Sequence, residues 1–137
     1  MKEKILTLLR EMRNDSKSAS YKAEKELCKI LAEVIDKLHT VEKKVGSYIR
    51  NYPEKIESID DEYYLYDELP TEIYCNDEDF CFETEWLDIN LQEYFEKLKK
   101  SEINGIKHTI ERVEYSLVKH REEIKRLEEL KFEDLEI

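Results

Sequence analysis

Glycine and proline are nearly missing: two of each occur in 137 residues, which leaves little material for tight turns. With only Gly46 and Gly105, neither a glycine-rich phosphate loop nor a glycine-flanked nucleophile elbow can be built. Cysteine is scarce as well. Cys28, Cys75 and Cys81 are odd in number and lack a CxxC spacing, so no disulfide framework is expected and all three are read as packing residues. No apolar run is long enough to span a membrane. Lys2-Glu3-Lys4 leads straight into an amphipathic stretch rather than a secretory apolar core, and a cytoplasmic location with reduced thiols is expected. His39, His108 and His120 have no neighbours that would activate a nucleophile.

One stretch also lacks positive charge altogether. Residues 56–96 contain no Lys or Arg and 15 Asp+Glu. Residues 1–55 carry 13 Lys+Arg against 9 Asp+Glu, and residues 97–137 carry 10 of each. The net charge of −11 therefore originates in the middle segment. Such a charge opposes direct binding to nucleic acid or to phosphate.

The charged fraction, 42%, exceeds the hydrophobic fraction, 40%, which favours long helices with thin apolar stripes. Ile5, Leu8, Leu9 and Met12 predict a short first helix, stopped at Asn14-Asp15-Ser16, which also supplies a choice of N-caps for the next helix, with Ser18 and Ser20 as alternatives. A long helix to about Tyr48 follows. Its Leu27, Leu31, Val34, Leu38, Val41, Val45 and Tyr48 form a heptad seam, widened on one flank by Ile30, Ile35 and Ile49. The spacing then changes to two. Ile73 and Cys75, then Phe80, Phe82, Thr84 and Trp86, alternate around the polar turn Asn76-Asp77-Glu78-Asp79, predicting a hairpin over 71–86. Tyr63 to Tyr66 offer a third strand.

Asp88 is a candidate N-cap for a helix with Leu91, Tyr94, Phe95 and Leu98 on one face. The step of five to Ile103 predicts a break or phase slip near Lys100-Ser101. A second seam follows: Ile103, Ile106, Ile110, Val113, Leu117, His120, Ile124 and Leu127. His120 is a polar seam position, suited to fixing register. The expected fold is α+β and mostly helical: two long heptad-patterned helices packed antiparallel, with a small acidic hairpin or three-stranded sheet between them in sequence. One domain is expected over 1–137, helical over 1–50, β-containing over 56–87 and helical over 88–132. Pairing of each seam with its counterpart in a second copy is the alternative.

Chemistry finds little purchase. The Asn76–Asp79 turn lacks the glycine and distal glutamate of a calcium loop. Cys75 and Cys81 could face each other across the hairpin but have no further ligands at zinc spacing. The carboxylates of 56–96 form one same-sign run that must stay solvated, which does not suit a general acid in a closed pocket. No enzyme activity, cofactor or metal is expected. What remains is an acidic surface interleaved with aromatics, suited to steering and anchoring a basic partner. The candidate partner-binding residues are Asp60, Asp61, Glu62, Asp67, Glu68, Glu72, Asp77, Glu78, Asp79, Glu83 and Glu85.

In size, charge pattern and want of catalytic residues the chain resembles small phage-encoded anti-defence proteins, the anti-CRISPR and anti-restriction DNA mimics. It is similar in the same respects to the acidic immunity proteins that block nuclease toxins. The resemblance implies a non-enzymatic inhibitor of a basic nucleic-acid-binding protein in the host-cell cytoplasm, and it carries over no residue. The alternative function is a self-associating scaffold that works through the helix seams.

Overall fold

The structure, a computed structural model, describes residues 1–13, 15–46, 50–60 and 67–136. Its elements are α1 (Lys2–Glu11), α2 (Lys17–Val45), β1 (Ile59–Asp60), β2 (Glu72–Cys75), β3 (Phe80–Glu83), a 3-10 turn (Thr84–Asp88), α3 (Leu91–Glu129) and a terminal 3-10 turn (Phe132–Leu135). The fold is α+β and mostly helical, with a three-stranded antiparallel sheet lying in sequence between α2 and α3. The chain groups into two compact units, Met1–Leu98 and Lys99–Ile137.

In the first unit α1 turns its predicted stripe inward: Ile5, Leu8, Leu9 and Met12 are buried. Among the candidate caps, Ser16 serves, its hydroxyl accepting from the Ala19 amide at 3.4 Å. Ser20 instead donates to the Met12 carbonyl at 2.6 Å and closes the α1–α2 corner. Gly46 ends α2 in the left-handed region at φ 75°, where a side chain would be strained. Tyr48 and Ile49 lie outside the described residues.

The stripe that α2 buries is Ala23, Leu27, Leu31, Ile35, Leu38 and Glu42, with Cys28 beside it. Val34, Val41 and Val45 of the expected seam are only half-buried. A straight helix drifts off a seven-residue repeat, so its inward face moves from Val41 to Glu42. This stripe packs within the unit, against α1 and the inner face of the sheet, in one core that holds Ile5, Leu9, Leu27, Leu31, Ile59, Ile73, Phe82 and Trp86.

The sheet order is β1-β2-β3, with Ile59 opposite Cys75, Ile73 opposite Phe82 and Cys75 opposite Phe80. Ile59 takes part in the third strand; Tyr63 to Tyr66, where that strand was expected, lie outside the described residues. The hairpin ends at Glu83 rather than continuing to Trp86. Thr84–Asp88 coil into a 3-10 turn that buries Thr84 and Trp86. Asn90, not Asp88, caps α3, its Oδ1 accepting from the Glu93 amide at 3.1 Å. Asp88 is taken by Lys2 at 2.6 Å.

α3 runs unbroken through Lys100, Ser101, Asn104 and Gly105. The step of five from Leu98 to Ile103 marks a slip of face, not a break in the backbone, since every residue between them is compatible with a helix. It falls at the boundary between the two units, and Leu98 is the buried residue of α3.

From 99 to 136 every residue is exposed except half-buried Glu102. The seven apolar seam residues from Ile103 to Leu127 are 43 to 55% exposed. The buried stripe of α2 is consumed within its own unit, and the seam residues of α3 are exposed. No helix of the described residues is long and apolar enough to cross a membrane.

Candidate functional site

The pleat divides the hairpin chemically. Ile59, Ile73, Cys75 and Phe82 point into the core. The opposite face carries Asp60, Tyr74 and Cys81 in one cross-strand row and Glu72 directly opposite Glu83 in the next. Two like charges face to face on an antiparallel pair destabilise it. Tyr74 relieves part of this by donating its hydroxyl to Glu72 at 2.7 Å. The Cys81 thiol is pushed up, first by burial and then by the Glu72 and Glu83 carboxylates. Thr71, Glu72, Glu83, Thr84 and Glu85 line an open recess of about 230 Å³. Thr84 holds its wall, donating to the carbonyls of Pro70 and Thr71 at 2.9 and 3.0 Å.

The tip is built under strain. Asn76, Asp77 and Glu78 all have left-handed backbones, at φ 53°, 57° and 72°. Such conformations suit Gly and Asn, and cost more for Glu. Asn76 secures the turn to the neighbouring segment. Its amide donates to the Ser58 carbonyl at 2.9 Å, its Oδ1 accepts from the Glu57 amide at 2.7 Å, and its Nδ2 donates to the Lys55 carbonyl at 2.8 Å.

Of the sequence-predicted carboxylates, Asp67, Glu68, Glu72, Asp77, Glu78, Asp79 and Glu85 are exposed, and Asp60 and Glu83 are half-buried. Asp61 and Glu62 lie outside the described residues. The hairpin brings Asp60, Glu72 and Glu83 onto one face, and Asp77–Asp79 to its tip. Asp67 stands apart, its carbonyl accepting from the Arg10 guanidinium at 2.9 Å. Of the aromatics, Phe82 and Trp86 are buried, and Tyr74, Phe80, Tyr94 and Phe95 are half-buried. Tyr63, Tyr64 and Tyr66 lie outside the described residues. Cys75 and Cys81 do not face each other. The four-residue loop pairs Cys75 with Phe80 and Tyr74 with Cys81, so the thiols lie on opposite faces. Among the described residues no group of three His, Cys, Asp or Glu could hold a metal ion.

Sequence reasoning missed a polar cluster at the end of α2. Glu42, fully buried, accepts from the Arg50 amide at 3.1 Å and the Tyr52 hydroxyl at 2.8 Å. The Arg50 guanidinium lies over the rings of Trp86 and Tyr94 at 5.1 and 5.8 Å. Burial first, then Glu42, holds the Tyr52 phenol well above its ordinary value. These bonds make Glu42, Arg50 and Tyr52 a clamp at the edge of the core. The signal was present in the sequence: Glu42 follows Leu38 by four, on the face that α2 buries. The indole Nε1 of Trp86 is buried without a hydrogen-bond partner among the described residues.

No family model matches the chain, and no curated protein or solved structure matches it.

Proposed function

We propose that this chain is a non-enzymatic binding protein whose acidic hairpin occupies the basic working face of a nucleic-acid-handling protein. The observation that carries this reading is the register Glu72↔Glu83, which sets two carboxylates together on a solvent-facing strand pair. A sheet gains nothing from that pairing alone. A cationic partner converts it from a cost into an attraction, and negative potential speeds the encounter. The strained tip supports the same reading, because Asp77 and Glu78 are held in a fixed conformation at a conformational cost. The partner class implied by the resemblance to anti-defence proteins is a defence nuclease, a CRISPR effector or a nuclease toxin, met in the host-cell cytoplasm.

The test is a pull-down of the tagged protein from nuclease-treated bacterial lysate, eluted with a salt gradient. The reading expects a basic nucleic-acid-binding protein that elutes at moderate salt, as surface charge is screened. It expects that protein to be lost when Asp77, Glu78 and Asp79 are changed together to Lys. Retention of the same protein by the triple variant would sink the proposal.

A further inference from the structure

The uncovered stripe of α3 differs in kind from the buried stripe of α2. Leu27, Leu31, Ile35, Leu38 and Glu42 advance about 3.75 residues per step, so they spread over a broad face against a globular core rather than keeping a narrow seam. Ile103 to Leu127 hold the strict alternation of three and four, averaging about 3.5 residues. That period keeps one face forward only against another helix with the same repeat. Residues 99–129 are helical with no buried side chain, so the stripe lacks the tertiary cover that sustains most helices.

We propose that this seam is covered by the α3 seam of a second copy, as a parallel, in-register coiled coil. Self-pairing is electrostatically open here, because residues 99–137 carry nine Lys+Arg and ten Asp+Glu. A strongly basic or acidic partner would find no net charge to meet. The residues flanking the seam choose the orientation. In parallel register Glu102 of one copy meets Lys107 of the other, although Glu123 and Glu128 remain alike. Full antiparallel overlap sets Lys107 against Arg121 and Glu114 against its own counterpart, like charges that outnumber the favourable pairing of Glu128 with Lys100. Seven apolar side chains, each about half exposed, bury on the order of 1,200 Å² across a pair, the lower bound of a stable interface. Ile at both core positions also suits three strands. A third copy would close three His120 rings into the core, whereas two copies leave each ring an edge in water.

Sedimentation equilibrium of the full chain at tens of micromolar tests this. A dimer that persists in 1 M NaCl is expected, since apolar burial is not screened. Leu117→Asp should return it to monomer while leaving the unfolding midpoint of the core unchanged, because Leu117 is 47% exposed in the single chain. His120→Cys should form a covalent dimer on oxidation, as in-register pairing brings the two positions together. A monomer at all concentrations, or a dimer unaffected by Leu117→Asp, would overturn the proposal. A dimer that fails to cross-link at position 120 would overturn its register. Lysine substitution at Asp77–Asp79 should leave the dimer intact, so this test and that of the acidic face fail separately.

Discussion

Two helices of this protein have nearly the same apolar spacing and opposite environments. Along α2 the apolar positions from Leu27 to Val45 alternate by four and three, and of these Leu27, Leu31 and Leu38 are buried. Along α3 the positions from Ile103 to Leu127 alternate in the same way and are exposed. Width separates them. The buried α2 stripe, with Ala23 and Ile35 in it, is flanked by Cys28 and Ile30, so its apolar face is broad enough to sink into a core built from α1 and a sheet. The α3 seam is flanked by Lys107, Glu114, Arg121 and Glu128 on one side and Glu102, Thr109, Ser116 and Glu123 on the other. A band two positions wide, lined with charge, fits a second helix and little else.

The sharpest way to break this comparison is to truncate one leucine on each helix. Leu31→Ala removes a fully buried side chain and should cost about 2–5 kcal/mol, transfer and cavity together. Leu117→Ala, measured below the concentration at which copies associate, should stay within about 0.5 kcal/mol of the parent. Urea unfolding followed by the fluorescence of Trp86, the single tryptophan, reads both. Equal losses would mean that α3 also packs within the chain and that the two stripes do not differ.

How much of this was legible follows from the same residues. α1, the Phe80–Phe82 strand and the α+β class were visible because spacing and turn chemistry agree there, whereas Ser16 was one of five candidate caps. The slip near Lys100 was visible too, but spacing could not tell it from a break. Spacing shows that a face has changed, and helix propensity decides whether the backbone stops. The acidic face was legible as charge. Its register was not, because a loop one residue longer or shorter would put Glu83 in the core and Phe82 outside. The fate of Val41 and Glu42 was hidden because a straight helix drifts about 20° per heptad off a seven-residue repeat, enough over the two heptads from Leu27 to turn Val41 off the buried face and leave Glu42 on it.

A smaller effect tests the clamp that ends the α2 stripe. Glu42→Leu keeps the bulk but strands the Arg50 amide and the Tyr52 hydroxyl, and should cost roughly 1–3 kcal/mol. Glu42→Gln, which keeps an acceptor, should cost less. If Leu proves as stable as Gln by the same urea titration, the hydrogen bonds of Glu42 are not what holds residues 50–52 to α2. Among the described residues α3 buries no carboxylate, so the test also measures how much of the α2 environment depends on one polar residue.

Relief of strain at the hairpin tip should have the opposite sign. Glu78 stands at φ 72°, a backbone that glycine adopts freely. Glu78→Gly should therefore stabilise by about 1 kcal/mol, whereas Gly46→Ala, at φ 75°, should destabilise by a similar amount. A loss of stability in Glu78→Gly would show that the side chain's own contacts outweigh the strain.

The smallest effect at neutral pH becomes visible only in alkali, and it too distinguishes the two units, since all three cysteines precede Leu98. Burial, followed by the Glu24 carboxylate, pushes the Cys28 thiol up to about 11. Burial, followed by the neighbouring Cys28 and Cys81, pushes Cys75 up to about 12. A thiol whose folded value is raised favours the folded state while it stays protonated, and the unfolded chain releases its proton first. The stability it contributes is thus complete below the ordinary value of 9.0 and is lost as pH climbs through 11 and 12. Urea midpoints should be level from pH 7 to 8.5 and fall steadily above 9. The Cys28→Ala, Cys75→Val double variant should show a shallower fall over the same range. If parent and variant decline in parallel, the two thiols are not the groups whose ionisation opposes the fold, and the Tyr52 phenol of the clamp becomes the next to replace.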